Sequence, residues 1–334
     1  MKYIVNKETR ATYNIAMDEW LLTRLKPKEP VFALWQNESA IIVGKHQNTF
    51  EEVNDAFVKK KGIEVVRRVS GGGAVYHDLG NVNFTFIIPV DNPENVNWKT
   101  YVEPMRLALQ KLGLEVELSG RNDIEIGGRK MSGNAQRFSK GYLMHHGTLM
   151  FNVDVETLVR SLNVQEEKFL SKAVKSVRSR VTNIREYLPE LTVETFIEAL
   201  TYELTGGGQD GEIQLTSEQL EEVSMLEKKK FSQKSWNYGE NPPFNYHSRE
   251  KFTAGSIEVN VYVKDGKIQT IQFQGDFLGV EDVDDLTPDL IGLEFSYDVL
   301  ELFFKEHDPN RYFGVSVEEL LQLFKVDGVG KESK

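Results

Sequence analysis

The 334 residues carry 40 Lys and Arg against 51 Asp and Glu, a formal net charge of −11 that disfavours nonspecific nucleic-acid binding, which needs a basic face. Hydrophobic residues make up 40 % and aromatics 10 %, enough for a substantial core, yet no apolar run reaches the roughly 20 residues of a membrane span. The chain has no cysteine, which excludes disulfides, thiolate metal sites and a thiol nucleophile and fits a cytoplasmic protein.

The N-terminal "MKYIVNKETRATYN" lacks the apolar centre of a signal peptide. Next, "YNIAMDEWLLTRL" spaces Ile15, Trp20, Leu21, Leu22 and Leu25 for a helix that ends before Pro27. "VFALW" and "AIIVG" read as buried strands, "EEVNDAFVKKKG" as one short amphipathic helix stopped by Gly62, and "IEVVRR" as a strand. That strand runs into "SGGGAVYHDLGN". Glycine without a Cβ permits positive φ and close backbone approach to a ligand. Strand alternation sends Arg67 and Arg68 to opposite faces, so one of them faces such a site. The plain alternative is a glycine-rich bend with solvated arginines. A dinucleotide fingerprint is ruled out, because the glycine spacing is wrong and no helix opens after it.

"NVNFTFIIPV" alternates Val82, Phe84 and Phe86 with polar residues, as a strand does. "WKTYVEPMRLALQKLG" is a helix with Pro104 in its early part. In "SGRNDIEIGGRKMSGNAQ" a two-residue turn at Gly127-Gly128 pairs Ile126 with Arg129, Glu125 with Lys130, Ile124 with Met131 and Asp123 with Ser132. One face then carries Ile124, Ile126 and Met131. The other carries Asp123, Glu125, Lys130, Ser132 and Asn134, either as a solvated face or as the polar wall of a pocket. In the strand "YLMHHGTLMFNV" the adjacent histidines face opposite ways, a poor arrangement for a shared metal. Helical patterns dominate from Val155 to Lys230. They include the densest basic cluster, with Lys168, Lys172 and Lys175 on one face and Arg178 and Arg180 after them. It is either a solvated surface or a mobile segment that grips an anion.

"LTGGGQDGE" reads as a linker, and "SWNYGENPPFNYHS" as a joint between domains. Beyond the joint, "GSIEVNVYVKDGKIQTIQFQG" is a hairpin turning at Asp265-Gly266, followed by the helical "SYDVLELFFKEHD" and "SVEELLQLFKV". The terminal "GVGKESK" lacks the earlier glycine and the following helix of a phosphate-binding loop and reads as a frayed end.

"NIAMDE", "RRVSGGGAVYHDLGN", "GRNDIEI…GRKMSGNA", "HHGTL" and "KSVRSRVTN", in this order, resemble lipoate–protein ligase A of the bacterial type, in the biotin/lipoate protein ligase superfamily. The resemblance implies a large α/β (α+β) catalytic domain of the biotin/lipoate ligase type over residues 1–244 and a small α+β C-terminal accessory domain over 245–334. It implies an ATP-dependent ligase that converts free lipoate to lipoyl-AMP with release of pyrophosphate. The lipoyl group then passes to one lysine of an apo-lipoyl domain, in the E2 subunits of 2-oxoacid dehydrogenases or the glycine cleavage H protein. Mg²⁺ accompanies ATP, with Asp123 as its candidate ligand.

On the same resemblance, Lys130 is the catalytic lysine. The lipoate- and ATP-binding set is Arg68, Ser70, Gly71, Gly72, Gly73, Ala74, Val75, Tyr76, His77, Asn81, Asp123, Lys130, His146, Gly147, Arg178 and Arg180. A cytoplasmic monomer that binds neither nucleic acid nor membrane is expected. Two rivals share the expected fold. One is an ATP-independent lipoyl or octanoyl transferase, whose relatives use a cysteine that this chain lacks. The other is a non-catalytic paralogue that binds lipoyl domains. A biotin ligase fits less well, because "SGGGAVYHD" differs from the biotin loop of that family.

Overall fold

The computed structural model describes residues 1–90, 97–120, 122–162, 175–208, 211–239 and 242–324. Lys168, Lys172 and the terminal "GVGKESK" lie outside the described residues. The chain divides into two compact units, Met1–Gly239 and Glu240–Lys334.

The first unit is built on a seven-stranded sheet in the order β1(Lys2–Val5), β2(Val31–Trp35), β6(Asn81–Pro89), β10(Tyr142–Met150), β9(Arg129–Ser139), β8(Asp123–Ile126), β7(Val116–Ser119). Only the β1–β2 pair is parallel. A smaller sheet, β4(Glu64–Arg67), β3(Ala40–Val43), β5(Val75–His77), belongs to the same unit. Both faces of the large sheet are covered. Val82, Phe84, Phe86, Leu149 and Met131 pack with the helices Trp98–Lys111 and Val193–Thr205 on one side. Ala33, Trp35, Ile87 and Met144 pack with the helix Ala11–Trp20 and with Ala40, Ile42 and Val66 of the small sheet on the other. The second unit is a three-stranded antiparallel sheet, β11(Tyr246–Phe252), β12(Gly255–Lys264), β13(Lys267–Gly275). Its own core includes Val259, Phe273, Leu300 and Phe304, the last two from the helix Tyr297–His307. The β12–β13 turn has Asp265 and Gly266 at φ 53° and 72°, as its hairpin sequence requires.

Three local expectations need correction. "EEVNDAFVKKKG" contributes to two helices, Thr49–Glu52 and Asp55–Lys61, because Asn54 accepts the Phe57 N–H and starts a new helix after an extended Val53. Gly62 does end the second one, at φ 67°. "LTGGGQDGE" is more than a linker: Tyr3 donates to the Gly211 carbonyl and accepts from the Ile213 N–H, which binds the stretch to β1.

The third correction is the hairpin register. Glu125 pairs with Lys130 as expected, but Ile124 meets Ser132 and Asp123 meets Gly133, so Met131 is an extra, bulged residue. The other edge of β9 is engaged here. Lys130 donates to the Arg180 carbonyl and accepts from Thr182 N–H, each at 2.8 Å. Met131 still reaches the apolar core beside Ile124 and Ile126.

Candidate active site

A cavity of about 140 Å³ lies between the two sheets of the first unit, lined from both. From the small sheet and its loop come Ile42, Arg68, Gly72, Gly73, Ala74, Val75 and His77. From the large sheet come Trp35, Asn83, Lys130, Gly133, Asn134, Ala135, His146, Gly147 and Thr148, with Asn122 beside them and Ile15 from the first helix. The alternation of β6 explains the polar wall. Val82, Phe84 and Phe86 point to one core, so Asn81, Asn83 and Thr85 point the other way, and all six are buried.

The two arginines separate as alternation predicts. Arg67 turns away from the cavity and donates to the carbonyls of Gly44, Lys45, Gln47 and Trp236 and to Thr49 Oγ1. Arg68 lines the cavity and folds the glycine loop around itself. Its Nε donates to Ser70 Oγ, Nη1 to the Ile42 carbonyl, and Nη2 to the Gly71 and Gly73 carbonyls at 2.5 and 2.9 Å. Gly72 has φ 85°, and its carbonyl comes so near Gly44 that a Cβ there would sit 1.9 Å away. Burial pulls both guanidinium groups down to about 10, with Arg67 adding to the effect on Arg68. The partners of Arg68 are neutral oxygens, so its charge remains uncompensated by a carboxylate among the described contacts. A buried cation in a cavity wall favours an anion there.

A chain of buried hydrogen bonds fixes the wall. Ser70 Oγ is 2.6 Å from His146 Nε2, and His146 Nδ1 is 2.8 Å from Asp18 Oδ2. Thr85 Oγ1 donates to Asp18 Oδ1 at 2.6 Å and accepts from Trp35 Nε1 at 3.0 Å. Arg68 Nε can only donate, so Ser70 Oγ accepts from it and keeps its own hydrogen for His146 Nε2, with His146 Nδ1 turned to Asp18. Asp18 thereby orients Arg68 through two intermediaries. His145, on the other side of β10, pairs with Gln136 and Asn134, and burial pushes its imidazole down to about 3.

Lys130 Nζ lies 2.7 Å from Asp123 Oδ1, both side chains partly exposed. The neighbouring Gly133 leaves the lysine room, since a Cβ there would come within 3.1 Å of Nζ. Gly147 is needed for close packing, as its Cβ would fall 2.5 Å from Asn134 Oδ1 and 2.6 Å from the Phe84 ring.

Of the residues singled out in the sequence, Arg68, Gly72, Gly73, Ala74, Val75, His77, Lys130, His146 and Gly147 line this one cavity. Ser70, Gly71 and Asp123 act one contact back, on Arg68, His146 or Lys130. Asn81 donates to Asn83 Oδ1. Tyr76 turns to the opposite side, near Ser39 and among Ile41, Val58 and Val153. Arg178 and Arg180 are exposed and do not line the cavity, although the Arg180 backbone pairs with Lys130. Sequence reading missed Asp18, Trp35, Asn83, Thr85 and Thr148. One signal was present: Asp18 sits on a helix between Ile15 and Leu21–Leu22, where an apolar residue would be expected.

An apolar lining of Ile15, Trp35, Ile42 and Val75 beside a buried arginine and a lysine suits an acid with an extended apolar tail. Residues 10–205 match the family described as "Lipoyl protein ligase A/B catalytic domain", and residues 241–324 match "Bacterial lipoate protein ligase C-terminus". The chain is 43 % identical to lipoate–protein ligase 1 of Staphylococcus aureus, over 97 % of this chain and 99 % of that one. It is 41 % identical to a lipoate–protein ligase of Bacillus subtilis, over 93 % and 95 %.

Solved structures agree. P. falciparum LipL1, in complex with lipoate, superposes with a TM-score of 0.78 at 27 % identity, over 96 % of this chain and 98 % of that one. A bipartite lipoate–protein ligase of Thermoplasma acidophilum, studied with its E2 lipoyl domain, gives 0.63 at 28 %, over 72 % and 97 %. An ATP-bound lipoate–protein ligase A gives 0.60 at 25 %, over 71 % and 98 %. The chain belongs to the lipoate–protein ligase family and is a ligase of that class.

Proposed function

We propose that the cavity binds lipoate and ATP together, joins them as lipoyl-AMP, and then passes the lipoyl group to a lysine of an apo-lipoyl domain. The observation that carries this reading is Arg68, a buried cation with neutral partners, in the same cavity as Lys130. In the first step a lipoate carboxylate oxygen attacks the α-phosphorus of ATP and pyrophosphate leaves. Both reactants are anionic. Lys130 offsets their repulsion and stabilises the charge that grows in the transition state. In the second step the acceptor amine attacks the acyl carbon, the C–O bond to phosphate breaks, and AMP departs.

Mg²⁺ enters as part of the nucleotide substrate. The Asp123 carboxylate proposed from sequence to hold it is engaged by Lys130, and no group of three metal-binding side chains occurs among the described residues. Such an ion is held mainly by water, substrate phosphates and one or two carboxylates. Arg178 and Arg180 belong, on this reading, to the segment that approaches the nucleotide. The acceptors are E2 lipoyl domains and the glycine cleavage H protein, met in the cytoplasm by a monomer. No helix among the described residues is long and apolar enough to cross a membrane.

The test is lipoate-dependent ATP–pyrophosphate exchange by the purified protein, followed by mass spectrometry of an apo-lipoyl domain. Exchange together with a lipoyl mass increment on one acceptor lysine supports the ligase. Transfer from an acylated carrier without ATP would replace it by a transferase. Acceptor binding with neither reaction would replace it by a binding protein.

A further inference from the structure

The apolar face of the large sheet contains a polar cluster that the reaction above does not use. His145, Gln136 and Asn134 share this face, with His145 opposite Gln136 and Gly147 opposite Asn134 in the β9–β10 register. His145 is wholly buried and its ring stacks 6.0 Å from that of Phe84, so an apolar side chain would suit the position. Its contacts show what the imidazole supplies instead. Asn134 Nδ2 lies 2.8 Å from the Asn122 carbonyl, which only accepts, and this fixes the amide with Oδ1 turned to His145. His145 Nε2 therefore donates to Asn134 Oδ1 at 3.2 Å, and its Nδ1 accepts from Gln136 Nε2 at 2.9 Å. Burial keeps the imidazole neutral at pH 7, so it has one ring proton, and that proton is given to Asn134.

Asn134 in turn holds the start of β8. Its backbone N–H and its Nδ2 both donate to the Asn122 carbonyl, at 2.9 and 2.8 Å, and Asn122 Nδ2 donates back to the Asn134 carbonyl. The adjoining pair of residues belongs to the lysine site. Asp123 lies opposite Gly133, Asp123 Oδ1 is 2.7 Å from Lys130 Nζ, and a Cβ on Gly133 would come within 3.1 Å of the same nitrogen. The Asn122–Asn134 pair thus closes the hairpin one residue beyond the ammonium. Between that closure and Lys130 lies the bulged Met131, which interrupts the ladder. A slip of one residue in a strand sends its side chains to the opposite face, and Asp123 would then no longer face Lys130.

We propose that His145 is a positioning residue for adenylation: through Asn134 and Asn122 it pins the bulged β8–β9 hairpin in register and so holds the Lys130 ammonium at the cavity. This rests on the reading of Lys130 as the lysine that serves the adenylation step. His145 touches neither reactant on this account, since it lies on the face of β10 opposite His146, which lines the cavity. Packing against Phe84 and Phe86 holds its donor in one direction. A supporting side chain locked in this way gives the group it supports its precision.

The experiment is a mutant cycle on single-turnover formation of lipoyl-adenylate by the full chain, with folding checked by circular dichroism. His145→Phe keeps a ring against Phe84 and removes the donor. It should slow adenylation by about 10- to 100-fold, the larger figure being the cost of a misplacement of about 1 Å. His145→Gln, which keeps an N–H near the position of Nε2, should recover most of that loss. Added to Lys130→Met, His145→Phe should slow the reaction by less than about threefold further, because no ammonium is left to misplace. Asn134→Leu removes the middle of the chain at nearly constant volume, enters the same cycle beside Lys130→Met, and decides the matter if His145→Phe does not fold. A wild-type rate in folded His145→Phe, or equal rates for the Phe and Gln variants, overturns the positioning role. So does the same loss with and without Lys130, which would leave His145 as a support of the fold alone. A wild-type rate in Lys130→Met overturns the lysine reading, and the positioning role with it, an outcome distinct from additive losses beside a slow Lys130→Met.

Discussion

The two faces of β6 are equally buried and chemically opposite. Val82, Phe84 and Phe86 are closed in by apolar side chains, whereas Asn81, Asn83 and Thr85 are closed in by one another, by Asp18 and by the cavity. Burial therefore does not distinguish core from site in this sheet. What distinguishes them is where hydrogen-bonding capacity is directed. The apolar face has none to satisfy and contributes stability. The polar face commits much of its capacity to a fixed network and leaves the Asn83 Nδ2 donor without a partner among the described residues, at a cost in stability.

Phe84→Ala should produce the largest effect, on the apolar face alone. Truncating a fully buried phenylalanine costs about 3–5 kcal/mol, and Phe84 packs on Phe86 and on His145. The urea midpoint should fall sharply while the lipoate KM of the folded fraction stays near wild type. A large KM change without a stability change would reverse the roles assigned to the two faces.

Lys130→Met should show the complementary result. Lys130 is 39 % exposed in its side chain, so the melting temperature should move little. Single-turnover adenylation should slow by about 30- to 1,000-fold, if the charge resembles one oxyanion-stabilising group of about 2–4 kcal/mol. Lys130→Arg should not restore the full rate, because a planar guanidinium does not replace a point charge. Near-normal adenylation and transfer by folded Lys130→Met would move the central role to Arg68.

Thr85→Val probes the boundary between the two behaviours. The substitution keeps the shape and strands both Asp18 Oδ1 and Trp35 Nε1. It should cost about 1–3 kcal/mol and also raise the lipoate KM, since Trp35 lines the cavity and Asp18 orients His146. Calorimetry together with a KM measurement checks this, and a stability loss with an unchanged KM would make the network purely structural.

A pH slope in stability draws on both sides of the large sheet at once. His145 packs against Phe84, His77 lines the cavity, and burial lowers each to about 3. The unfolded chain takes up these protons near pH 6.5, so this stability is present above that pH and is lost as pH falls from about 6.5 toward 3. Each histidine should contribute up to about 1.4 kcal/mol per pH unit in that window. Urea unfolding at pH 7 and pH 5 measures the slope, and His145→Gln should reduce it. An unfolding free energy that is flat with pH would mean that neither ring is held neutral.

Local sequence determined a good deal. The opposite facings of Arg67 and Arg68, the glycine loop and the alternation of β6 all follow from a two-residue strand period and from glycine's missing Cβ, whereas the expected polar face of the Asp123–Asn134 hairpin does not survive the bulge, which turns Ser132 to the Ile124 side. The first three are properties of neighbours in the chain, so they are legible there. The motif order was specific enough to indicate the family as well.

Tertiary structure decided which of those faces meet. Asp18 reaches His146 across 128 positions, and Ser70 reaches it across 76. No local pattern encodes such pairings. The bulge at Met131 arises beside Lys130, whose backbone is held by Arg180 and Thr182, residues outside the hairpin. The unpartnered donor of Asn83 is defined by what Asn81 already occupies. Strand period fixes the direction of a side chain, but its hydrogen-bond partners and the atoms left without one exist only after distant segments pack, because a hydrogen bond needs its partner within about 3 Å whatever the separation along the chain.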